Sequence, residues 1–100
     1  MQHISAQELK KRQNAGEELY ILDVREPNEY AEINMGAVLL PLGRIMSTEI
    51  DDIEAWRDKE VIVHCRSGIR SMQACAMLDQ LGFADTKNLT GGIMAWKELA

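Results

Sequence analysis

Short continuous apolar runs alternate along this chain with longer stretches of helical spacing. L-Y-I-L-D-V at 19–24 and E-V-I-V-H-C at 60–65 carry apolar residues on both alternating faces. That pattern predicts strands covered on both sides. A-V-L-L-P-L at 37–42 is a further strand candidate, and Pro41 places its end there or puts it at a sheet edge. T-K-N-L at 86–89 is a weaker one.

Helices are expected between these runs. Ser5 with Glu8 three residues on has the form of a capping box, opening a helix from Ala6 to Asn14 that stops near Gly16. Pro27 breaks the chain, and N-E-Y-A-E then makes a short helix. Residues 47–57 place Ile50, Ile53 and Trp56 at helical spacing behind an acidic start. Residues 68–81 form a long helix ending at Gly82, and a last helix follows Gly91 and Gly92 and runs to the chain end. Strands alternating with helices define an α/β fold: a mainly parallel sheet of about five strands with helices on both faces. A chain of 100 residues is one domain, residues 1–100.

Composition narrows the function classes. With 46% apolar residues the chain can bury a core, yet no run approaches the roughly 20 residues of a membrane span. The N-terminus lacks the pattern of a signal peptide, so a cytoplasmic protein is expected. A net charge of -5 argues against nucleic acid or an anionic membrane as partner. Two cysteines, Cys65 and Cys75, do not make a disulfide framework, and no Cys/His spacing suggests a metal site. Cys75 falls among Ala74, Leu78 and Leu81, a core position. Both tryptophans, Trp56 and Trp96, are expected against the sheet.

Against that acidic background, V-I-V-H-C-R-S-G-I-R-S at 61–71 stands out. In parallel sheets, sites lie at the carboxyl ends of strands, and Cys65 is at such an end. So are Asp23 and Arg25, which could pair with each other or meet the loop. After Cys65 a loop containing Gly68 leads into a helix, whose first amides have no partners and whose dipole is positive. Such amides can form an anion nest, and Arg66 and Arg70 add full charges. Each feature favours a thiolate, the reactive form of cysteine, and each would hold an anionic substrate. His64 adjoins Cys65 but points to the opposite face of the strand, poor geometry for a general base. Ser67 and Ser71 could donate to the sulfur, and Ser67 could equally cap the helix. Gly91 and Gly92 permit a turn that closes one side of the pocket.

Three stretches together resemble the rhodanese-like sulfurtransferases: D-V-R-E-P-N-E-Y at 23–30, C-R-S-G-I-R-S at 65–71 and L-T-G-G-I-M-A-W at 89–96. The resemblance spans nearly the whole chain as one module. Relatives often carry Gly-His-Ile-Pro before Gly-Ala, whereas E-I-N-M precedes Gly36-Ala37 here. The resemblance implies that Cys65 takes a sulfane sulfur from thiosulfate or a persulfide donor and passes it to cyanide or a thiol. It implies that Arg66 and Arg70 bind the donor, and that the amides of Ser67, Gly68, Ile69 and Arg70 stabilise the persulfide, without a cofactor. Two rivals stand beside it. One is a cysteine phosphatase or arsenate reductase, whose loop carries arginine where this chain has Ser71. The other is a sulfur-relay or regulatory module that works with a protein partner.

Overall fold

The computed structural model describes residues 1–99. Five strands, β1 (Gln2–Ile4), β2 (Tyr20–Asp23), β3 (Val38–Leu39), β4 (Glu60–His64) and β5 (Asp85–Leu89), form one sheet in the order β1-β5-β4-β2-β3. Every pairing in it is parallel. Parallel neighbours need crossover connections, and α1 (Ala6–Asn14), α2 (Pro27–Glu32), α3 (Leu42–Met46) and α4 (Ile69–Gln80) lie in them, while α5 (Gly92–Lys97) follows β5.

Strand β4 shows how the layers are sorted. Val61 and Val63 point into a core with Leu22, Ile45, Ile53, Ala74 and Leu78, the face covered by α3 and α4. Ile62 points the other way, to Leu9 and Leu89 on the face of α1 and α5. Trp56 packs on the first cluster and Trp96 on the second. The α/β reading therefore holds, with the sheet parallel throughout and covered on both faces.

The elements differ from expectation where local pattern was thin. Strand β1 was not foreseen: it has three residues, two of them exposed, and it is a strand because it pairs with Lys87–Leu89. The candidate at 37–42 shrinks to Val38–Leu39 at the sheet edge, and Pro41 becomes the N-cap of the unforeseen α3. The helix expected over 47–57 is a 3-10 segment, Asp51–Trp56. The spacing had signalled this: 50, 53 and 56 repeat every three residues, the period of a 3-10 turn. The last helix ends at Lys97, and Ala100 lies outside the described residues. Ser5 does cap α1, accepting from the Glu8 amide at 3.0 Å.

Candidate active site

The carboxyl edge of the sheet brings Asp23, His64, Cys65 and Leu89 close together, because β2, β4 and β5 are neighbours in register. Cys65 leaves the end of β4, and its residue is 1% exposed. The chain then turns through Arg66 and Ser67 to Gly68, the N-cap of α4. Gly68 has φ +110, a conformation L side chains rarely adopt. In that turn its amide faces back and donates to Cys65 Sγ at 3.1 Å. The cap alternative for Ser67 is therefore not realised, since Gly68 holds the position.

A second glycine fixes the other side of the loop. A Cβ on Gly92 would lie 2.4 Å from the Arg66 carbonyl oxygen and 2.6 Å from that of Cys65, so no larger residue fits. This approach lets the amides of Ile93 and Met94 donate to the carbonyls of Cys65 and Arg66, at 2.9 and 3.2 Å. These are first-turn amides of α5, which have no partner inside their own helix. In a trans peptide the carbonyl and the next amide point opposite ways. Tethering the Arg66 carbonyl to α5 thus turns the Ser67 amide toward the sulfur.

Burial alone pushes the Cys65 thiol up. The Ser71 hydroxyl and the amides of Ser71, Gly68 and Ser67 outweigh it, so the thiol falls below its ordinary range. Ser71 Oγ lies 3.4 Å from Sγ, and the Ser71 hydroxyl also meets Asn88 Oδ1. Asn88 was not singled out from sequence. A buried polar residue within the weak strand T-K-N-L was the available signal.

The arginines are placed differently from expectation. Arg70 is engaged in both arms by Glu29 of α2, Nη1 to Oε1 at 2.7 Å and Nη2 to Oε2 at 2.9 Å. Arg66 is exposed at the rim. The groups that counter the burial of the sulfur are thus hydrogen-bond donors of the loop and α4. Asp23 and Arg25 take the mutual pairing: Arg25 Nη2 donates to Asp23 Oδ2 at 2.8 Å and to the Ile33 carbonyl at 2.7 Å. The pair is buried, and it fastens the segment after α2 to the end of β2. His64 is fully buried with Nδ1 3.2 Å from the Cys65 carbonyl and Nε2 3.6 Å from Asp23 Oδ2. Burial holds its pKa below the ordinary histidine value, and the Asp23 charge offsets part of that. Both cysteines are free thiols.

Beside the loop lies a cavity of about 240 Å³. Ile33, Ile93 and Met94 give it apolar walls, and Arg25, Arg66, Lys97, Glu29 and Glu32 complete the lining. Ile93 and Met94 are also the residues whose amides tether the loop, so the Gly91-Gly92 turn closes one side, as expected. A sulfur ringed by donors, in a loop whose Arg66 borders a small mixed-charge cavity, has the arrangement needed to attack a compact electrophile and hold negative charge as it develops.

The family model of the Rhodanese-like domain matches residues 5–99, and the chain belongs to that family. It is 43% identical over 98 residues to the putative sulfurtransferase YtwF of Bacillus subtilis, covering 97% of this chain and 91% of that protein. A sulfurtransferase of Allochromatium vinosum is 37% identical over 94 residues, 93% of this chain and 85% of its own. Among solved structures, the rhodanese-like domain of the Anabaena protein Alr3790 superposes with a TM-score of 0.87 at 28% identity, over 100% of this chain and 76% of that one. No helix among the described residues is long and apolar enough to cross a membrane.

Proposed function

We propose that this protein is a sulfurtransferase in which Cys65 carries the transferred sulfur as a persulfide. The observation that carries the reading is the donor ring on Cys65 Sγ, led by the Gly68 amide at 3.1 Å. The names of its relatives support the reaction class. With thiosulfate as donor, the Cys65 thiolate attacks the outer sulfur and forms an S–S bond. The bond between the two donor sulfurs breaks, its electron pair leaves with sulfite, and Cys65 keeps an anionic persulfide. Cyanide or a thiolate then attacks that outer sulfur, and the Cys65 thiolate returns. Splitting the transfer in two lowers each barrier. Arg66 and Arg70 are the residues for the donor's oxyanion, and the amides of Ser67, Gly68, Ile69 and Arg70 for the outer persulfide sulfur. Asp23 and Arg25 act by holding the site together.

The loop argues against phosphoryl chemistry. Ser71 stands where a cysteine phosphatase places arginine, and its hydroxyl lies 3.4 Å from the sulfur. A protein partner has one observation in its favour: Ile69 and Met72, on the first turn of α4, are 70% and 44% exposed.

Intact-mass spectrometry after thiosulfate treatment tests the proposal. One added sulfur is expected on Cys65, removed by cyanide and absent from Cys65→Ser, which stays folded and transfers nothing. Sulfur gained by the Cys65→Ser variant, or no gain in the parent protein, would overturn it.

A further inference from the structure

We propose that Glu29 is a built-in competitor for small donor anions: it occupies the end-on face of the Arg70 guanidinium in the resting loop, and an oxyanion gains that two-pronged face only by displacing it. The inference rests on the sulfur-transfer reading for its meaning, but it concerns anion binding and can be tested without turnover.

The pairing is bidentate, with both terminal nitrogens of Arg70 on both oxygens of Glu29. Fork-to-fork geometry is the strongest arrangement open to these two groups, and it is the same one a sulfonate or sulfate would use. Glu29 is held in place from its other side, since its Oε1 also accepts from the Glu26 amide at 3.0 Å. Arg70 holds the Glu29 carboxyl down to about 2, so the competitor is charged throughout the neutral range. The pair is half-buried, with side-chain exposures of 34% and 23%. Water and incoming ions can therefore reach it, and exchange needs no opening of the core.

The consequence is selectivity by charge. A free dianion such as thiosulfate needs Arg70 and must pay for breaking the internal pair. A persulfide carried on an organic thiol has a second route. Its carbon body can rest on Ile33, Ile93 and Met94 in the adjoining cavity, and its outer sulfur needs the loop amides rather than Arg70. Glu29 thus tilts the site from free oxyanions toward thiol-borne persulfides.

Inorganic sulfate, titrated by NMR or calorimetry, is the probe for the binding claim. Glu29→Gln keeps the oxygen that accepts from Glu26 but removes the charge. It is expected to tighten sulfate and to lower the thiosulfate KM, each about fivefold, the equivalent of one half-exposed ion pair. With cysteine persulfide as donor, the KM is expected to stay within about twofold. In an Arg70→Ala background Glu29→Gln is expected to leave the sulfate Kd unchanged. Glu29→Asp, a shorter carboxylate, should act in the same direction more weakly, and serves if the glutamine variant is misfolded. An unchanged sulfate Kd in Glu29→Gln, or a shift that persists without Arg70, overturns the proposal. If sulfate tightens as expected while no variant transfers sulfur, the competitor stands and the sulfurtransferase reading falls.

Discussion

Cys65 and Cys75 are equally buried, at 1% and 0% exposure, and their thiols are driven in opposite directions. Cys75 lies in the middle of α4 among apolar neighbours of the larger core. Burial pushes its thiol up to about 11, and the Thr86 hydroxyl offsets only part of that. Cys65 sits six residues before Ser71, where a strand has ended and a helix has barely begun. There the backbone still has amides to give, and together with the Ser71 hydroxyl they reverse the same burial penalty. The contrast teaches that a buried thiol is lowered here by donors close in the chain, the Ser71 hydroxyl first and the unspent amides of the turn beside it. Exposure does not account for it.

The largest effect expected from that difference is in labelling. At pH 7 a thiol near 11 is ionised in roughly one molecule in 10⁴. Iodoacetamide should therefore modify Cys65 more than about a hundredfold faster than Cys75 in the folded protein. Peptide mapping over a time course reads this directly. Equal rates would mean that burial governs both sulfurs and that the donor ring has no electrostatic consequence.

A smaller change is expected from removing one donor. Ser71→Ala deletes the hydroxyl 3.4 Å from Sγ and leaves the loop amides in place. The alkylation midpoint of Cys65 should move to higher pH. The sign follows from the group lost: a donor that favours the thiolate is gone, so a higher pH is needed to ionise the sulfur. Stability should fall as well, since Asn88 Oδ1 is left buried without that partner. The pH midpoint separates the two effects, because a purely structural loss would not move it. An unmoved midpoint would assign the Ser71 proton wholly to Asn88 and leave the amides as the sole donors.

These residues also mark how far the sequence could be read. The cysteine, its glycine turn and the helix that follows are contiguous, so their relation was visible in C-R-S-G-I-R-S. The strand pattern placed that stretch at a carboxyl edge, and β2 and β4 are where expected. What the sequence hid are contacts between distant segments. Glu29 meets Arg70 across 41 residues, and Ser71 meets Asn88 across 17. Strand β1 exists through its pairing with β5, more than 80 residues away. The arginines illustrate the limit: proximity in sequence gave Arg70 to the sulfur, while the fold gave its guanidinium to Glu29. Spacing tells which face a residue occupies, but a long side chain has several partners within reach of that face.

The least change is expected from Cys75 itself, and it sharpens the contrast most. Cys75→Ala removes one sulfur from a packed cluster that includes Val63, Ala74 and Leu78. A small void of this kind costs about 1 kcal/mol, or roughly 4–8 °C in Tm for a domain of this size. Sulfur transfer and the labelling rate of Cys65 should stay within about twofold, since Cys75 supplies none of the donors on the Cys65 sulfur. Thermal melts and turnover on the same sample test both halves. A tenfold loss of turnover with an unchanged Tm would reverse the argument, because a thiol that matters to chemistry but not to packing must exchange sulfur with Cys65. That result would make α4 a relay path and would require the loop to open far enough for one buried sulfur to reach the other.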